Sequence, residues 1–171
     1  MNDILPIIKL RAIEPEDLDQ LYKIENDRKL WNVGNTNVPY SRYVLHEYIA
    51  NSRNDIYSDR QVRMIIENTH GEAVGIADIV NFDPTHRRAE IGLVIMDAYR
   101  RHGYALSAIN ELISYSRDTL HLHQLYACVD CDNIPSINLF KKAHFVECVI
   151  LTDWLYDGCD YHDACVMQFF T

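Results

Sequence analysis

The sequence predicts a mixed α/β fold, a single domain with a central sheet of about seven strands and about four helices on its two faces. Three observations predict it. Apolar periodicity alternates between the strand and helix repeats along the whole chain, in the order β-α-α-β-β-β-α-β-α-β-β. The 171 residues suffice for one domain with a substantial core. The six glycines and five prolines are scattered, with no low-complexity tract or repeat to mark a boundary.

Ile7 to Arg11 reads as the first strand. Glu14-Pro15-Glu16-Asp17 then opens a helix with the proline and acids that helix N-termini prefer, and Leu18, Leu21, Tyr22 and Ile24 give it an apolar stripe. Residues 32 to 40 are rich in turn formers, after which Ser41 can cap a second helix reaching about Asn51. Arg60 to Glu67 and Glu72 to Val80 form a hairpin around Asn68-Thr69-His70-Gly71, and Asp83-Pro84 turns the chain into a strand from Arg88 to Met96. Tyr104 to Leu120 is the clearest helix, with Ala105, Ile109, Leu112, Ile113 and Ser116 at helical spacing. A strand from His123 to Val129 follows, then a short helix capped by Asn133 with Pro135 in its first turn. Phe145 to Leu155 and Tyr161 to Phe170 complete the sheet.

The net charge of −9 argues against the nucleic-acid backbone as the main partner, and no apolar run approaches the roughly 18 residues of a membrane span. Five cysteines cannot all pair within one chain, which indicates a reducing, cytoplasmic setting. The charge is also uneven. Arg87, Arg88, Arg100 and Arg101 cluster with His86 and His102, whereas from Ala143 onward there are acids and neither Lys nor Arg. One region is suited to an anion and another to a cation.

The basic region lies where a buried strand, Ile91 to Met96, passes through a short loop into the clearest helix. The first amides of a helix have no internal acceptor and sit at the positive end of its dipole, so this junction is an anion site, with phosphate the usual anion. Gly103 lets the backbone approach a diphosphate, Ala105 keeps the next turn open, and Arg100 and Arg101 add charge.

Arg100-Arg101-His102-Gly103-Tyr104-Ala105 resembles the pyrophosphate loop of the GNAT acetyltransferase superfamily, Arg/Gln-x-x-Gly-x-Gly/Ala. Downstream, the segment from Asn133 to Phe145 is similar to the family's Asn-x-x-Ser/Ala-x-x-Leu-Tyr-x-x-x-Gly-Phe, and Leu10-Arg11-Ala12 with Glu16-Asp17-Leu18 resembles its opening. Within the superfamily the likeness is to the spermidine and ribosomal-protein N-acetyltransferase branch. It implies a mostly antiparallel sheet and acetyl transfer from acetyl-CoA, without a metal, to a polyamine, a peptide N-terminus or another small amine. The exposed edges of such a sheet suit a homodimer. The resemblance also implies that the main chain of Leu93, Val94 and Ile95 binds the pantetheine arm. Arg100, Arg101, His102, Gly103, Tyr104, Ala105 and Leu106 would wrap the diphosphate, and Asn133, with Ser136 and Lys141, would contact the cofactor near the thioester.

Two positions depart from that pattern. Phe140 replaces the tyrosine that protonates the leaving thiolate in many members, and His144 replaces the glycine before Phe145. The proton then comes from another donor (Tyr104, Tyr126, Cys131 or water), or the thiolate leaves unaided, or catalysis is weak or lost. The last case is a non-catalytic acetyl-CoA-binding module. The attacking amine must also lose a proton. Glu90, alternating with Gly92, Val94 and Met96, and Asp78, in an otherwise apolar strand, are the candidate carboxylates. Trp31, Tyr40 and Trp154 are candidates to shape the acceptor pocket beside Asp78. The stretch Asn32 to Tyr40 has no carboxylate, where the spermidine enzymes carry several. His121, His123, Cys128 and Cys131 make a poor zinc quartet, because along a strand His123 and Cys128 point to opposite faces.

Overall fold

The structure, a computed structural model, describes residues 5–30, 38–52 and 55–171. After β1 (Ile8–Ala12) one 3₁₀ turn, Pro15–Asp17, leads into α1 (Leu18–Glu25). Buried Asp17 fixes that turn by accepting the Glu14 amide at 2.8 Å and both terminal nitrogens of Arg11 at 2.7 and 2.9 Å. Burial alone would raise the Asp17 carboxyl, but the Arg11 bonds more than offset it and hold the pKa below the usual range.

Helix α2 (Arg42–Asn51) begins at the expected cap, where the Ser41 hydroxyl accepts the Val44 amide at 3.1 Å. The single turn α3 (Ile56–Asp59) was not expected. Only Ile56 in it is buried, so it carries no apolar stripe for periodicity to reveal. The rest follow the expected order with ends shifted by a few residues: β2 (Val62–Asn68), β3 (Ala73–Asp83), β4 (Arg88–Ile95), α4 (Tyr104–Asp118), β5 (Gln124–Asp130), α5 (Ile134–Lys142), β6 (Val146–Tyr156) and β7 (Tyr161–Phe170).

The strands form one seven-stranded sheet in the order β1-β2-β3-β4-β5-β7-β6, and every neighbouring pair is antiparallel except β4 with β5. Alternation along the strands gives two buried faces. Met64, Ile66, Ala77, Ile79, Ala89 and Ile91 pack with Ile109 and Leu112 of α4 and with Ile137 and Phe140 of α5. On the opposite face Ile65, Ile76 and Val94 pack with Ile24 of α1. Helices thus cover both faces, as the order of elements implied. Among the described residues, no helix is long and apolar enough to cross a membrane.

Candidate active site

The parallel pair β4–β5 is joined only at its start, where Arg88, Ala89 and Glu90 face Gln124, Leu125 and Tyr126. Beyond that rung β4 runs on to Ile95 beside β3, while β5 runs on to Asp130 beside β7. The sheet therefore opens between them. Met96 gives its amide to the Val74 carbonyl at 2.9 Å, on the β3 side. Since successive strand residues turn their main-chain groups to opposite sides, Leu93 and Ile95 face the opening, whereas the Val94 carbonyl faces β3, directly against Gly75. The expectation of main-chain contacts from Leu93, Val94 and Ile95 therefore narrows to Leu93 and Ile95.

At the wide end of the opening a 3₁₀ turn, Asp97–Tyr99, leads to Gly103, the N-cap of α4. Gly103 has a φ of 87°, and a Cβ built on it would lie 2.9 Å from Pro6 Cδ, so both backbone and space require glycine here. The first amide satisfied by the helix cap is that of Ser107, which donates to the Gly103 carbonyl at 3.1 Å. The amides of Tyr104, Ala105 and Leu106 precede it and point out of the helix end, and the cap has no side chain to cover them. Arg101 takes a φ of 63° and its side chain is exposed, as is that of His102. Arg100 differs from expectation. Its Nε donates to the Ile95 carbonyl at 2.9 Å and its Nη1 pairs with Asp97 at 2.8 Å, so it closes the end of β4 rather than reaching freely for an anion.

At the narrow end Glu90 and Tyr126, register partners, project to the face that α1 covers. Asn81 of β3 gives its Nδ2 to Glu90 Oε2 at 2.7 Å. Burial, then the Glu90 charge, pushes the Tyr126 phenol above its ordinary pKa, and Asn81 opposes them. Beside this cluster on the same face is a pocket of about 200 Å³ between α1, α2 and the strands β2 and β3. Glu25, Arg63 and Asp78 form its polar floor, and Tyr40, Val44 and Tyr48 its wall. Tyr40 is held there by Asn26, whose Oδ1 accepts the Tyr40 amide at 2.8 Å and whose Nδ2 donates to its carbonyl at 3.0 Å.

Residues 8–146 match the acetyltransferase (GNAT) domain family. The chain is a GNAT acetyltransferase. It is 28% identical over 169 residues to the spermidine N(1)-acetyltransferase of Escherichia coli (strain K12), with 94% of this chain and 86% of that one covered. A solved structure of spermidine N-acetyltransferase from Vibrio cholerae in complex with CoA and spermine is similar at a TM-score of 0.84 and 26% identity, covering 95% of each chain. A dodecameric structure of spermidine N-acetyltransferase from the same organism is similar at a TM-score of 0.80 and 26% identity, covering 95% of this chain and 93% of that chain. The reaction of this acetyltransferase is transfer of an acetyl group to an amine.

Several residues singled out in the acetyltransferase's sequence have partners within the fold or stand apart from the pocket. Asp78 does not offer a free carboxylate, because Arg63 grips it through Nε at 2.7 Å and Nη2 at 2.8 Å while also pairing with Glu25. Burial works against the Arg63 charge, but the Asp78 bonds outweigh it and the pKa is raised. Asn133 uses its Oδ1 to cap α5 at the Ser136 amide, 3.2 Å away, and Lys141 pairs with Glu147 at 3.1 Å. Trp154 does not join the pocket. It stands exposed on β6, the outer strand two places beyond β5. Trp31 lies outside the described residues. Phe140 is buried with its ring centroid 5.1 Å from that of Phe145, and Tyr104 packs edge-on against Tyr99. Burial, and after it the Asp163 charge, raises the Cys131 thiol.

Arg63, Glu25, Tyr48 and Asn81 were missed. Their signal was faint: a charged residue between Val62 and Met64, and an asparagine where the strand pattern asks for an apolar side chain.

Proposed function

We infer that this acetyltransferase takes acetyl-CoA as donor and a cationic alkyl amine of the polyamine class as acceptor, with Glu90 as general base and Tyr126 as general acid. The observation that carries this reading is the parting of β4 and β5 immediately beyond the Glu90–Tyr126 rung, with the α4 N-terminus at the far end. The diphosphate of CoA binds the amides of Tyr104, Ala105 and Leu106, with Arg101 and His102 beside it. The pantetheine arm lies along the main chain of Leu93 and Ile95, past Asn133, which brings the thioester toward the rung. The pocket receives the acceptor. Its two carboxylates, on Glu25 and Asp78, exceed its one guanidinium, on Arg63, which favours a cation.

The ammonium of the acceptor first gives a proton to Glu90, directly or through water. The nitrogen lone pair then attacks the thioester carbonyl carbon. As the tetrahedral intermediate collapses, the C–S bond breaks, Tyr126 protonates the departing sulfur and the new amide nitrogen sheds its second proton. The products are N-acetylamine, CoA and one proton to solvent. The enzyme works in the cytoplasm, consistent with its five free cysteines. It also associates with copies of itself. Val149, Ile150 and Trp154 are exposed on the outer strand β6, and the Vibrio relative has a dodecameric structure.

The test is twofold. CoA at saturating concentration raises the midpoint of thermal unfolding, and acetyl-CoA with spermidine releases free thiol faster than acetyl-CoA with a peptide N-terminus. Stabilisation by CoA without thiol release from any amine would instead identify a non-catalytic cofactor-binding module.

A further inference from the structure

The geometry points to Asn81 as the residue that positions Glu90, and through it the Glu90–Tyr126 pair, for proton transfer. The inference rests on the proposed role of Glu90 and starts from an irregularity in β3. Val80 faces Glu90 and Asp83 faces Arg88, so Asn81 and Phe82 together oppose the single residue Ala89. This is a β-bulge, and its effect is a change of parity.

Without the extra residue, alternation from Ala77 and Ile79 would send position 81 into the core beneath α4 and turn Phe82 to the opposite face. With it, Phe82 enters that core, where it is 3% exposed, and Asn81 is released toward Glu90. The release requires left-handed backbone, since Asn81 has a φ of 51°. Asparagine tolerates that conformation better than other residues with a Cβ, and its amide supplies the donor the neighbouring carboxylate can use. One residue type therefore satisfies both the bulge and the contact at 2.7 Å.

The consequence is directional. The Glu90 side chain has rotamers that turn it along the strand and away from the opening. The Asn81 bond to Oε2 holds it over the rung it shares with Tyr126 and leaves Oε1 for the acceptor or a bridging water. Asn81 touches neither substrate in this scheme. It acts through Glu90.

Asn81→Gly separates the side chain from the bulge, because glycine keeps the left-handed backbone. The assay is thiol release from acetyl-CoA with spermidine, on the full chain, with the CoA-induced rise in unfolding midpoint as a check on folding and donor binding. The expected result is a fall in kcat of about tenfold or more, with KM for acetyl-CoA within about twofold of wild type. Glu90→Gln falls about a hundredfold, and Asn81→Gly in that background produces no further loss, as befits a residue acting through Glu90. Asn81→Gly with wild-type kcat beside an impaired Glu90→Gln overturns the positioning role and leaves the base assignment standing. An additional full tenfold loss in the double variant also overturns it, since Asn81 then acts independently of Glu90. Wild-type kcat in Glu90→Gln, or no thiol release by the wild type, removes the base assignment and this inference with it.

Discussion

Glu90 of β4 and Tyr126 of β5 are partners on the last rung that joins the sheet's one parallel pair. Parallel partners lie side by side on the same face, so a carboxylate and a phenol from different strands meet where the strands begin to diverge. Strands joined along their whole length would leave no room above this pair for a thioester. The divergence makes the chemistry possible, and the rung fixes where it occurs.

Substituting either partner removes one proton transfer while sparing donor binding. Glu90→Gln and Tyr126→Phe should each lower kcat about a hundredfold with little change in KM for acetyl-CoA. Burial, followed by the Glu90 charge, holds Tyr126 above its ordinary pKa of 10.0, so the phenol remains protonated throughout the working range. The loss in Tyr126→Phe should accordingly be equal at pH 7 and pH 9, measured by thiol release. A kcat within twofold of wild type would overturn Tyr126 as the general acid.

Gly103→Ala tests the opposite end of the opening. A Cβ in left-handed backbone costs about 1–2 kcal/mol, and here it also meets Pro6 Cδ at 2.9 Å. The unfolding midpoint of the free protein should fall by about 2–8 °C. Relaxation of the loop turns the α4 amides away from the diphosphate, so CoA should bind at least about tenfold more weakly in a calorimetric titration. Unchanged CoA affinity would place the diphosphate elsewhere.

The order of elements was legible because each long element carries a clear apolar period, and the loop was legible because Gly103 marks a strand-to-helix junction in the sequence. Features set by pairing between distant segments were not. Glu90 could be named as an acid on a cofactor strand, but its contact with Asn81 depends on a bulge visible only in the β3–β4 register. The side-chain partners of Arg100 and Asp78 were hidden for the same reason. A charged residue in a sequence has no visible partner, and both are occupied, one by the Ile95 carbonyl and Asp97, the other by Arg63.

His162 gives stability a pH dependence. Its Nε2 lies 3.1 Å from Asp157 in the β6–β7 turn and its Nδ1 lies 3.5 Å from Asp132 after β5. The Asp157 bond, chiefly, raises the imidazole above its ordinary 6.5. A raised histidine stabilises the fold fully below 6.5 and loses that contribution as pH rises through the folded value. Asp157 is lowered to about 2, first by the Asp160 and Cys159 amides and then by His162. Its contribution is present above the usual 3.8 and is lost only as pH falls toward 2. His162→Gln should therefore lower the unfolding midpoint at pH 5.5 and leave it near wild type at pH 8.5, with the difference at pH 5.5 shrinking in high salt. An equal deficit at both pH values would assign the residue a packing role alone.

His144 stands where the family pattern has glycine, and the structure shows how the helix end accommodates it. The His144 amide donates to the Lys141 carbonyl and the Phe145 amide to the Phe140 carbonyl, both at 3.0 Å, which is the paired closure of a helix that ends in left-handed backbone. His144 adopts that conformation itself, with a φ of 66°. Its side chain is exposed, so little packing is lost if it is removed. Relief of about 1–2 kcal/mol of left-handed strain, less the roughly 0.5–1 kcal/mol by which glycine favours the unfolded chain, leaves a net gain of several tenths to about 1 kcal/mol. His144→Gly should therefore raise the unfolding midpoint by about 1–4 °C. Because the same turn carries Phe140 and Phe145 into the core, the gain should appear without change in kcat. A lower midpoint would show that the imidazole makes a contact worth more than the strain.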